Sequence, residues 1–135
     1  MTRRGINQKL RAFARREQGS ASIEAVLWIP MFLLFFSLLT DTSLIFGRES
    51  EILRIVQDAN RSLAVGRFQT IKEAQTYVND KVAKFSPRSI VNVSIDQGII
   101  STTVSLPATD LTITGLLDAF SGVTIAVSAS QMSEV

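Results

Sequence analysis

Gly19 to Thr40 reads Gly-Ser-Ala-Ser-Ile-Glu-Ala-Val-Leu-Trp-Ile-Pro-Met-Phe-Leu-Leu-Phe-Phe-Ser-Leu-Leu-Thr, and the rest of the chain is arranged around it. A helix from Ser20 to Thr40 has 21 residues and reaches roughly 30 Å, the thickness of a bilayer's hydrocarbon core. Ala25 to Thr40 carries no charge over 16 residues, a length that also suits a buried core helix or a secretory h-region. An h-region wants small residues at a cleavage site just after the apolar run, and Thr40-Asp41-Thr42-Ser43-Leu44 is a poor one. A retained, spanning helix is therefore expected. Glu24 stands at its mouth, where an unpaired carboxylate is costly.

Outward from this run the charge is uneven. The first 19 residues carry Arg3, Arg4, Lys9, Arg11, Arg15 and Arg16 against Glu17 alone, whereas from Asp41 onward ten acids outnumber eight bases, within a formal net charge of +2. A basic segment before a spanning helix holds the amino terminus in the cytoplasm and sends the rest across. Basic charge confined to a short terminal cluster disfavours nucleic acid as a partner. The 135 residues, 46% of them apolar, have room for one membrane segment and one modest domain. Without Cys or His, the chain has no disulfide, no thiol nucleophile and neither the usual general base nor the commonest metal ligand. There is no Gly-rich phosphate loop. Asp96, Asp110 and Asp118 match no calcium-loop spacing. No enzyme, no cofactor and no metal site is expected.

After the run, Ile45, Ile52, Val56, Ala59 and Leu63 keep a helical stripe, with Glu51, Arg54, Asp58 and Arg61 on the solvated face. One long helix is expected to leave the membrane, with Asp41 marking its emergence into water and Gly66 its stop. Thr70-Ile71-Lys72-Glu73 matches a capping box. It opens a second helix with a stripe of Ile71, Ala74, Val78, Val82 and Phe85, ended by Ser86-Pro87. Then the period changes. Val91, Val93 and Ile95 alternate with polar residues, Asp96-Gln97-Gly98 reads as a turn, and Ile99 to Leu106 alternates up to Pro107, giving an antiparallel hairpin. Asp110 would cap a short helical piece through Phe120, laying Leu111, Leu116, Leu117 and Phe120 on the sheet. Val123, Ile125, Val127 and Ala129 form a third strand. The expected fold class is α+β, a long amino-terminal transmembrane helix continuing into a domain with a second helix and a three-stranded, mainly antiparallel sheet.

The opening resembles type IV pilins and pseudopilins with their prepilin leader, and among them the TadE-like minor pilins of tight-adherence (Flp-type) pilus systems. Arg-Arg-Glu-Gln-Gly-Ser-Ala-Ser-Ile-Glu-Ala-Val-Leu-Trp-Ile-Pro supplies the basic leader ending in Gly19, Glu24 five residues on, and an apolar run with Pro30, a helix kink, early in it. The stretch Leu111 to Ser130 is less specifically similar to that family's closing loop and strand. The resemblance implies that residues 1–19 are a leader, cut between Gly19 and Ser20 by a membrane prepilin peptidase. Residues 20–40 would stay as the membrane helix and residues 41–135 would form a periplasmic domain. It also implies that Glu24 neutralises the amino terminus of an adjoining subunit and sets axial register, so that other pilins or pseudopilins are partners through this helix. The inner membrane is the expected location, with pilus association after assembly. Ala25, where the abundant Flp major pilins usually carry Tyr, and the domain that follows fit a minor pilin or pseudopilin rather than the shaft subunit. Ser20 also departs from the Phe that opens many mature pilins. The competing expectation is an uncleaved, membrane-anchored periplasmic adaptor that binds a partner protein.

Overall fold

The computed structural model describes residues 18–116 and 122–134. In chain order it contains α1 (Gln18–Ala64), α2 (Ile71–Val82), β1 (Ile90–Asp96), β2 (Ile99–Pro107), a 3-10 turn (Ala108–Leu111) and β3 (Thr124–Met132). Two compact units divide the chain, one ending at Ser37 and one running from Leu38. The first consists, among the described residues, of the beginning of α1, which continues through Pro30. The second is an α+β unit with an antiparallel sheet of order β1-β2-β3.

In the second unit, α1 buries Ile52, Val56, Ala59 and Leu63. Steps of four, three and four keep them on one face. Full burial of an Ile or Val side chain is worth about 1.5–3 kcal/mol, so this stripe holds the helix to the sheet. Glu51, Arg54, Asp58 and Arg61 stay exposed on the other side, as the charge spacing predicts. The helix ends as Gly66 predicts. The Gly66 amide donates to the Leu63 carbonyl (3.2 Å) and the Arg67 amide to the Ser62 carbonyl (2.8 Å), with Gly66 at φ 74°, the paired bonds of a Schellman close. Gly66→Ala is expected to cost about 1–2 kcal/mol, because a Cβ is strained in that left-handed conformation. A thermal melt of the full chain in detergent checks it, and an unchanged midpoint would remove this glycine from the account.

The capping box forms with one displacement. Thr70 Oγ1 accepts the Glu73 amide (3.2 Å), but the Glu73 carboxylate takes the Gln69 amide (2.8 Å), one residue before the cap. Helix α2 buries Ala74, Val78 and Val82, leaves Ile71 exposed and Phe85 half-buried, and ends at Val82, four residues before Ser86. Beyond Val82 the bonding tightens: the Phe85 amide steps back three residues to the Val82 carbonyl (2.9 Å), which the Ser86 amide shares (3.1 Å). Its Tyr77 hydroxyl donates to Asp58 on α1 (2.8 Å), and its Gln75 donates to the Val91 carbonyl on β1 (2.8 Å).

The hairpin turns on Gln97 and Gly98, at φ 49° and 79°, with Asp96 paired to Ile99. Two positive-φ residues make the turn whose twist suits a two-residue hairpin. One sheet face, with Val91, Val93, Ile100, Val104, Leu106 and Val127, joins the helices in a single core. The other face carries Asn92, Ser94, Ser101, Thr103, Ser128 and Ser130. The third strand starts one residue later than the alternation suggests, leaving Val123 outside it and exposed.

Two expectations are corrected here. Asp41 does not mark emergence into water, for it is fully buried. Its Oδ1 accepts the amides of Ile113 (3.2 Å) and Thr114 (3.1 Å), and Thr114 Oγ1 donates to Oδ2. Asp110 is not a helix cap. It lies inside the 3-10 turn, and Leu116 is exposed rather than laid on the sheet. Leu117 and Phe120 lie outside the described residues.

Candidate functional site

Helix α1 begins at Gln18, so Gly19, Ser20 and Glu24 fall in its first two turns, with Pro30 further along. Ser20 and Glu24 are four residues apart and share a helix face. The Glu24 side chain is exposed, and no cation among the described residues lies within ion-pairing distance of it. Around and beyond it the surface is apolar and uncovered: Ile23, Leu27, Leu33 and Phe36 are all exposed. The helix is long and apolar enough to cross a membrane, and none of its most apolar window is buried. A core helix of a soluble protein would bury such a stripe.

Continuing the same four-residue step, Trp28, Phe32 and Phe36 form an aromatic row below Glu24, with ring centroids 6.0 and 6.5 Å apart. This row is not evident from composition, although its i, i+4 spacing stands in the sequence. The resulting arrangement is one carboxylate at the head of an apolar, aromatic ridge. Chemically it suits a neighbouring cation, since a carboxylate in apolar surroundings is stabilised by an opposite charge.

In the second unit Asp110 is engaged within the fold. Asp110 receives the Ser86 hydroxyl on Oδ2 and pairs with the Arg88 guanidinium, whose Nε reaches the same oxygen at 3.3 Å. The Arg88 guanidinium foremost, and then Ser86, hold the Asp110 carboxyl below its usual range. A depressed carboxyl stabilises the fold above its unfolded pKa, near 3.9, and that contribution is lost as pH falls through the lower folded value. The melting midpoint should therefore fall as pH drops below about 5, and Asp110→Asn should flatten that acid limb. Equal acid slopes for the two proteins would show that another group carries it. Asp118 lies outside the described residues, and among those described no three acidic side chains gather in one place.

Compared with protein-family models, curated proteins and solved structures, the chain matches none of them.

Proposed function

We propose that the chain is a minor pilin or pseudopilin of a tight-adherence type IV pilus. In this reading a prepilin peptidase cuts it between Gly19 and Ser20, and it acts in pilus assembly, adhesion or surface colonisation. The observation that carries the proposal is Glu24, an exposed acid at the head of an unburied apolar helix. Cleavage before Ser20 would place a free α-amine one helical turn from that acid. Such an amine has a reference pKa near 8 and is mostly cationic at neutral pH. Within the chain or across to a sister subunit, the two charges would offset one another where neither is well solvated. The basic leader keeps the amino terminus in the cytoplasm, where the peptidase acts, and the second unit lies in the periplasm. Function then resides in assembly through the helix, not in catalysis.

The test is the mass of the mature chain. Coexpressed with a prepilin peptidase in a bacterial membrane, the protein should lose residues 1–19 and begin at Ser20. A chain that still begins at Met1 would support the uncleaved, membrane-anchored adaptor instead.

A further inference from the structure

Asp41 is the first ionisable residue after the apolar run, and what buries it is the turn from Thr112 to Leu116, through the two amides and the hydroxyl that its carboxylate accepts. The chain entering that turn is fastened to α1 a second time, where Arg48 Nη1 donates to the Asp110 carbonyl (3.2 Å). Arg48 and Asp41 are two helical turns apart, roughly 10 Å. From Asp110 to Thr114 the chain thus runs back along α1 toward the apolar run, and the turn is held level with its last residues. There Ile113 is 70% exposed and Leu116 36% exposed, and on α1 itself Phe46 is 64% exposed. Single exposed apolar side chains are ordinary on a wetted surface. These stand where a bilayer would end.

We propose that the Thr112–Leu116 turn sits in the headgroup–acyl boundary of the membrane, with Ile113 and Leu116 against lipid and Asp41 as the latch that holds it there. The inference rests on the reading of α1 as a bilayer-spanning helix, and it removes a difficulty in that reading. Sixteen uncharged residues are short for a span, but a carboxylate already satisfied by three donors adds little exposed charge. With Asp41 sealed, the uncharged exterior of α1 extends from Ala25 to Gly47, roughly 34 Å at the helical rise and enough to cross the hydrocarbon core. The lipid-facing turn then widens the contact on one side of the helix.

Quenching by brominated lipid tests the proposal on the full chain in phosphatidylcholine–phosphatidylglycerol vesicles. Trp28 is the sole tryptophan and reports on the span. W28F I113W reports on the turn, and W28F I99W is the control, because the hairpin end lies by Ala64, where the Glu134 amide meets the Ala64 carbonyl, some 35 Å along α1 from Asp41. With bromine near the headgroups, the I113W emission should roughly halve, as for a segment lying about 5–10 Å into the boundary, while I99W keeps its full emission. If I113W is no more quenched than I99W while wild-type Trp28 is quenched, the turn lies in water and this inference is overturned with the span intact. If Trp28 is not quenched either, the spanning helix fails and takes the inference with it. Should I113W not fold, W28F L116W gives the same readout from the other side of the turn.

Discussion

Glu24→Ala should insert into the membrane as well as the wild type or better, yet join pili at least tenfold less efficiently in cells carrying the rest of the tight-adherence machinery. The first half follows from removing an acid from an apolar helix. Its penalty is about 2.5–3.5 kcal/mol at mid-bilayer and smaller near the surface. The second half follows from the proposed pairing with a mature amino terminus. A hydrogen bond between charged groups is worth about 1.5–3 kcal/mol, which is roughly ten- to a hundredfold in an association constant. Glu24→Gln separates charge from shape, since it keeps the length and a hydrogen-bond acceptor while losing the charge, and it should fail nearly as badly. Immunodetection of the protein in sheared pili against the membrane fraction reads both effects. Full incorporation of both variants would eliminate this carboxylate as an assembly determinant, whatever the cleavage experiment shows.

Periodicity made most of the fold readable. The steps between Ile52, Val56, Ala59 and Leu63, and the alternation of Val91 with Val93 and of Ile100 with Val104, report local geometry, and the core is assembled from those side chains. Contacts between distant residues leave no comparable trace. Nothing near Asp41 in sequence announces that its partners are Ile113 and Thr114, so the local pattern places it in water. Likewise the neighbours of Ser86 and Asp110 suggest a helix stop and a cap, whereas the two residues bind each other. The relative placement of the amino-terminal residues is legible for a physical reason. Gly19, Ser20, Glu24 and Pro30 lie on one helix, where sequence spacing is spatial spacing, and the Trp28–Phe32–Phe36 row needed only the same four-residue step to be seen.

Asn60→Ala is expected to destabilise the second unit by about 2–4 kcal/mol, combining an unsatisfied buried partner with a cavity. For a unit of this size that lowers the melting midpoint by roughly 10–20 °C. Asn60 and Thr102 are both buried within otherwise apolar stripes on α1 and β2. The Thr102 hydroxyl donates to Asn60 Oδ1 (2.6 Å), and Asn60 Nδ2 donates to the Ala129 carbonyl on β3 (2.9 Å). One amide side chain thus ties the helix to two strands. Removing it strands the Thr102 hydroxyl in the core, and Thr102→Val leaves Asn60 Oδ1 without its donor, at about 1–3 kcal/mol. Replacing both at once is a different case, because the Thr102 hydroxyl and Asn60 Oδ1 are removed together and only the Ala129 carbonyl loses a donor. Asn60→Leu with Thr102→Val should be clearly more stable than Asn60→Ala alone, and a double-mutant cycle should give a favourable coupling. What the double variant loses is a constraint on register, since a one-residue slip of β2 would carry Thr102 to the solvated face and break the bond to Asn60. A double variant less stable than Asn60→Ala would mean that shape, not hydrogen bonding, decides what fits between α1 and the sheet.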